Sequence, residues 1–318
     1  GIFIMRKRTV VLFVILLFVL YLFSVKDADK MENTDKKQTK ASINPINKGK
    51  IALIDIYGEI EDTTYILKQL HNFNNMHNVK AIVLRINSGG GAMAASQEVY
   101  SLVRKISLNG KPVVVSMGDV AASGAYYIAS AADRVVANSG TLTGSIGVIM
   151  MYMTGRKLLD KIGVDFVTLK TGKYKDIGSF SRSATQEEKD MMLATLKDAL
   201  SQFVDDIVEV RFEPIAKGAG IRAKDDKTKK RLVKAYMMSN IADGRLFTGN
   251  QAYRLGLVDY IGTIDDAIEI AAGMVGIEGR PNVITERYKP SFYGLLQSAL
   301  SDLGFKSKIS LTGKYSLR

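Results

Sequence analysis

The 318-residue chain has no cysteine and only two histidines. Without cysteine there is no disulfide, no thiolate nucleophile and no cysteine metal site, and the absence fits any redox compartment. The two histidines, His71 and His77, lie in the polar stretch HNFNNMH, which reads as an exposed helix end. Neither has an obvious orienting carboxylate, so a histidine-based triad lacks its base. No histidine pair stands at ligand spacing with acidic residues, so a metal centre is unsupported and no cofactor is expected. The glycine run Gly89-Gly90-Gly91 is not followed by the Lys-Ser/Thr pair of a nucleotide-binding loop. The net charge of +12 comes without aromatic-basic interleaving or a nucleic-acid motif. It reads as a solvated basic surface suited to anionic lipid, not as a nucleic-acid site.

What is present begins with a long apolar run. Residues 9–25 read TVVLFVILLFVLYLFSV, uncharged and preceded by Arg6-Lys7-Arg8. Seventeen residues is the short end of a membrane span and longer than most signal-peptide cores. No small-x-small cleavage site follows, which predicts an uncleaved signal anchor. The basic flank places the N-terminus in the cytoplasm and the remainder outside it. Residues 26–49 are polar and lysine-rich, a tether instead of a packed element. The expected organisation is an anchor over 1–25, a linker over 26–49, a catalytic domain over 50–288 and a C-terminal extension over 289–318.

Beyond the tether the pattern alternates. Strand-like runs at 51–57, 79–86, 112–116, 134–137 and 146–150 are interleaved with helical spacing at 63–77 and from the glycine run to about 106. Such alternation predicts an α/β fold with a largely parallel sheet. Thr185-Gln186-Glu187-Glu188 is a capping box opening a long helix to about 211, and Thr248 with Gln251 forms another before GLVD.

The most informative stretch is DVAASGAYYIA, residues 119–129. It follows an apolar strand and opens a small-residue helix, which puts Ser123 at a strand-to-helix corner beside Gly124. A hydroxyl there is exposed, and a helix N-terminus favours negative charge developing next to it. Those conditions suit a nucleophile. They also suit an ordinary N-cap serine. A nucleophile needs a base, and lysine is the type left. Lys170, Lys173 and Lys175 cluster in LKTGKYKD, and spacing does not choose among them. A lysine base must be neutral, and a fall of about two and a half pH units from its ordinary value of about 10.4 corresponds to about 3.4 kcal/mol, within reach of burial and neighbouring cations. The glycine run after a buried strand could present backbone N–H groups to an oxyanion.

Four blocks together resemble one family: LRINSGGG (84–91), GDVAASGAYYIASAADRVVANSGTLTGSIGV (118–148), GKYKDIGSFSRSATQEEK (172–189) and ADGRLFTGNQAYRLGLVD (242–259). They are similar, in the same order, to the signal peptide peptidase A family of Ser–Lys membrane serine proteases. The resemblance covers about residues 50–275. It implies a Clp protease/crotonase-like fold, a repeated β-β-α superhelix with a largely parallel sheet, carried here behind one N-terminal transmembrane helix. It also implies roles: Ser123 as nucleophile, Lys175 as general base, Ser145 as the serine orienting that lysine, and Gly90 and Gly124 as oxyanion-hole donors. Gly89 stands where the family usually has proline, which should loosen the loop. Ala125 stands where glycine is frequent.

The expectation is therefore a membrane-anchored serine endopeptidase facing away from the cytoplasm, degrading cleaved signal peptides and similar hydrophobic membrane peptides. The resemblance further implies a homo-oligomeric ring in which Lys175 could come from a neighbouring protomer. The helix after the capping box and residues 292–305 are candidate contacts. A related Ser–Lys protease cutting intact membrane proteins is an alternative. A crotonase-like acyl-CoA enzyme shares the fold, but the anchor argues against it because acyl-CoA is cytosolic. An inactive scaffold would have lost Ser123 or Lys175, and both are present.

Overall fold

The near-continuous apolar runs of the central strands are what a sheet covered on both faces requires. A computed structural model of the chain describes residues 49–286. The expected anchor at 9–25, nearly all of the linker and the C-terminal extension lie outside the described residues. Three long strands form the centre: β1 (Lys50–Ile60), β2 (Val79–Gly91) and β3 (Val113–Ala122). Helix α1 (Thr64–Asn75) links β1 to β2, and α2 (Met93–Leu108) links β2 to β3. Helix α3 (Gly124–Ser130) follows β3, then β4 (Arg134–Ala137), β5 (Leu142–Gly144) and α4 (Arg156–Ile162). The remainder is α5 (Gln186–Ala219), α6 (Asp226–Asn240), β6 (Leu246–Thr248), α7 (Gly249–Arg254), β7 (Tyr260–Ile261), α8 (Ile264–Met274) and β8 (Asn282–Thr285).

The sheet order is β6-β5-β3-β2-β1-β8, with β4 beside β3 and β7 beside β4. Every pairing is parallel except β5–β6. One face of the sheet packs through Ile54, Ile82, Leu84 and Val115 into the main core with α1, α2, α3 and α5. The other face, Ile51, Ala81, Val83 and Val114, is covered by Ala267, Ala271 and Ala272 of α8, whose small side chains let the helix lie close.

Strand β3 changes partner along its length. Its first half pairs with β4, from Val114–Arg134 to Met117–Ala137, and its last three residues pair with β5. Thr141 Oγ1 donates to Gly118 O at 2.7 Å, and Asn87 Oδ1 accepts from Val120 N at 3.0 Å, holding the crossover point. The strand thus ends at the carboxyl edge of the sheet, where ligand sites of parallel sheets sit.

Helix α5 opens with the expected capping box, Thr185 with Glu188. It does not stop near residue 211 but runs through Pro214 to Ala219. Tertiary contacts override the proline. The buried Arg211 pairs with Asp259 at 2.9 Å and donates to Gly256 O, and Gly256 lies so close to Pro214 O that a Cβ there would come within 2.2 Å. Lys229, Lys230 and Lys234 of α6 pair with Glu213, Glu209 and Asp205 of α5, so part of the chain's positive charge holds two helices together. The strand expected over 146–150 is absent. Residues 146–155 have no assigned secondary structure, and Ile149 and Met151 are 77% and 85% exposed. Among the described residues no helix is long and apolar enough to cross a membrane.

Candidate active site

Strand β3 ends at Ala122 and α3 begins at Gly124, so Ser123 is the corner itself. Its backbone is at φ 53°, ψ −124°, outside the regions that L-residues normally occupy. The corner is pinned on both sides: Ser123 N–H donates to Gly144 O at 2.8 Å, and Ser123 C=O accepts from Tyr127 N at 2.9 Å. Its side chain makes no capping hydrogen bond, which removes the N-cap reading. The half-buried hydroxyl instead borders a cavity of about 220 Å³. A sharp strand-to-helix turn presenting a free serine hydroxyl is the geometry of a nucleophile elbow.

Among the described residues only Ser123 and Ser145 are non-glycine residues with positive φ. Such conformations cost about 1–3 kcal/mol each and persist where the surroundings impose them. The two are linked, because the carbonyl that accepts the Ser123 N–H belongs to the Gly144–Ser145 peptide. Ser145 N–H in turn donates to Arg245 O at 2.8 Å, next to the β5–β6 pair.

The glycine run at the end of β2 packs against this corner. A Cβ on Gly90 would lie 2.8 Å from Ala122 O, Gly124 N and Ser123 Cβ, so only glycine lets the strand approach. The Gly90 N–H, expected to face an oxyanion, is given to Ser88 Oγ at 3.1 Å, and Gly90 is buried. Gly91 is the exposed glycine lining the cavity, and its amide nitrogen would be 3.3 Å from a Cβ on Gly124. A Cβ on Gly124 would also meet the buried Ser96 Oγ at 2.3 Å. Ser88 and Ser96 carry no distinctive pattern in the sequence, and within the glycine run nothing in the sequence marks Gly91 as the member that lines the cavity. The apolar walls of the cavity are Met93, Tyr127, Val148, Ile149 and Phe203. Among the described residues no group of three or more acidic or histidine side chains could hold a metal ion.

Lys175 is not brought to Ser123. It is exposed in the turns between α4 and α5, and among the described residues its amine has no hydrogen-bond or ion-pair partner. The other two lysines are engaged: Lys170 Nζ pairs with Asp176 and Lys173 Nζ with Glu187. Arg182 bridges Asp176 and Glu188. Its guanidinium, helped by Lys170, holds the Asp176 carboxyl well below the usual carboxylate range. The same guanidinium, with the Thr185 N–H, draws Glu188 down to about 2. The turn carrying Lys175 is therefore tied to the start of α5.

The model for Peptidase family S49 matches residues 105–278, more than half of the chain, and the model for Clp protease matches residues 36–143. A Synechocystis sp. protein described as a candidate protease is 39% identical over 231 residues, 72% of this chain and 76% of its own length. Protease 4 of Haemophilus influenzae is 32% identical over 238 residues, 71% of this chain and 35% of its own length. The chloroplastic serine protease SPPA of Arabidopsis thaliana is 33% identical over 228 residues, 71% of this chain and 31% of its own length. The chain thus spans about a third of the last two. With the S49 match running through the Ser123 corner, the Lys175 turn and α5 to α8, the chain belongs to peptidase family S49 and is a serine peptidase.

Proposed function

We propose that the chain is a membrane-anchored endopeptidase in which Ser123 is the nucleophile and Lys175 the general base, acting on hydrophobic peptides such as cleaved signal peptides. The observation that carries this reading is the strained Ser123 corner, its hydroxyl unbonded at the edge of an apolar-walled cavity. Ser123 Oγ attacks the scissile carbonyl while neutral Lys175 takes its proton, then passes it to the leaving amine. Water hydrolyses the acyl-enzyme by the same route reversed. The Gly124 and Gly91 N–H groups stabilise the oxyanion, each such donor being worth about 3 kcal/mol. Gly90 contributes the close approach that its missing side chain permits. Ser145 orients the lysine. Anchor over 1–25, tether over 26–49 and catalytic domain over 50–288, outside the cytoplasm, complete the arrangement.

The exposed placement of Lys175 favours a site completed between chains of a homo-oligomeric ring. The segment that carries it also exposes Ile149, Met151, Met153, Val167 and Leu169, a cost in apolar surface that a neighbouring protomer would remove. Disposal of cleaved signal peptides and cutting of intact membrane proteins would use the same machinery. Alanine at 123 or at 175 should each abolish peptide cleavage, while Ser145→Ala should only reduce it. Lys175→Arg should stay inactive, since a guanidinium remains charged. Near-normal turnover of Lys175→Ala, or a dead Lys170 or Lys173 variant instead, would refute the assignment.

A further inference from the structure

Tyr127 is the one wall of the cavity that is fixed by polar bonds as well as by packing. It lies one helical turn beyond Ser123, and its ring stacks on Phe203 with centroids 4.3 Å apart and planes 18° from parallel. Tyr100 packs against it at 5.2 Å. Its hydroxyl donates to the Asp206 carboxylate and accepts from Gln97 Nε2 at 3.2 Å. Tyr100 OH donates to the Asp206 backbone carbonyl at 2.7 Å, so α2 and α5 hold the same phenol ring between them. Burial, with the Asp206 hydrogen bond, pushes the Tyr127 phenol well above its ordinary value, so it remains a donor at any working pH. Asp206 itself has no ion-pair partner among the described residues. An apolar contact would join α3 to α5 at least as well as a half-buried carboxylate. What the carboxylate adds is direction: a ring free to turn about its side-chain torsions becomes a wall with one orientation.

We propose that Asp206, acting through Tyr127, is a positioning residue that sets which apolar substrate side chain the cavity beside Ser123 accepts. The inference rests on the reading of Ser123 as nucleophile. With the ring held flat against Phe203, the cavity takes an unbranched or γ-branched aliphatic side chain and refuses an aromatic one. When the ring is released, it swings and the distinction weakens.

The test uses the full-length chain in detergent, in a Ser123→Ala background so that binding is measured apart from catalysis. Peptides that differ only in the residue before the scissile bond, leucine against phenylalanine, are titrated calorimetrically. Asp206→Ala and Tyr127→Phe should each lower the leucine-to-phenylalanine affinity ratio by about five-fold or more, the scale on which pocket shape discriminates apolar side chains. Asp206→Asn, which keeps an acceptor, should restore most of the ratio. The Asp206→Ala/Tyr127→Phe double variant should be no worse than either single one, because both break the same link. An unchanged ratio in Tyr127→Phe, which removes the hydroxyl and nearly preserves volume, overturns the proposal even where Asp206→Ala fails to fold. So does a ratio that leaves the wild-type value only together with a lowered melting temperature. Reaction of the Ser123 chain with a fluorophosphonate judges the nucleophile separately. Loss of that reaction with an intact affinity ratio would refute the catalytic reading and leave the pocket assignment standing.

Discussion

Ser123 holds a backbone conformation that glycine adopts freely and serine does not, φ 53° with ψ −124°, because Gly144 O, Tyr127 N and the glycine strand leave no other path. The strain should be measurable as stability. Ser123→Gly relieves a cost of about 1–3 kcal/mol and loses about 0.5–1 kcal/mol in added unfolded-state freedom, a net gain of about 1 kcal/mol. For a domain of this size that raises the melting temperature by about 2–4 °C. Ser123→Ala keeps the strain and should melt within a degree or so of wild type, and the proposed mechanism expects both variants to be inactive. Equal melting temperatures for all three would mean the corner is not strained. The serine itself was readable from DVAASGAYY, since the corner follows from a strand meeting a small-residue helix. Its separation from an N-cap serine was not, because both roles use the same residue in the same place and differ only in where the hydroxyl points. The glycine run was readable as a whole, but not which of its members faces the cavity. Three consecutive glycines look alike in a sequence, and only in three dimensions does the Ser88 hydroxyl take up the Gly90 N–H and Gly91 line the cavity.

Among the elements, the central strands and the capped helices followed from local chemistry. β4 spans the expected residues, and the boxes at Thr185 and Thr248 both form. Misreadings arose where distant contacts decide. Pro214 should end a helix by its own chemistry, yet the Arg211–Asp259 pair and the close seat of Gly256 carry α5 past it. Residues 146–150 have a strand's composition but no sheet neighbour among the described residues. The turn holding Lys175 depends on Arg182 between Asp176 and Glu188, and its pH dependence has a definite sign. Both carboxyls titrate below their ordinary values in the folded chain. The stability they lend is complete above about pH 4.3, the unfolded value, and is lost as pH falls toward 2. Hydrogen exchange in the first turn of α5, corrected for intrinsic rates, should therefore lose protection between about pH 4 and pH 2. Arg182→Gln should show low protection across that range. A wild-type chain whose protection does not change there would show that the network does not hold the turn.

For the whole molecule the question is how the proposed base, Lys175, would reach Ser123. Ser123 lies in the cavity, Lys175 lies exposed on a segment that also exposes Ile149, Met151 and Leu169, and no described contact joins the two. Neither fact was available from sequence, which gives residue types and order but not the distance between a corner and a turn fifty residues later. If the site forms between protomers, Ser123→Ala and Lys175→Ala chains, each inactive, should regain activity when co-assembled, because some interfaces then carry an intact serine and an intact lysine. Absence of any recovery from correctly assembled mixtures would place the dyad within one chain.

The central claim is that Ser123 is the residue acylated, and the most direct measurement is the site of covalent modification. The full-length chain in detergent is treated with a fluorophosphonate, digested and analysed by mass spectrometry. The account predicts a single adduct on Ser123, absent from Ser123→Ala and strongly slowed in Lys175→Ala. An adduct on another serine with Ser123 unmodified, or undiminished labelling of the Ser123→Ala chain, would contradict it.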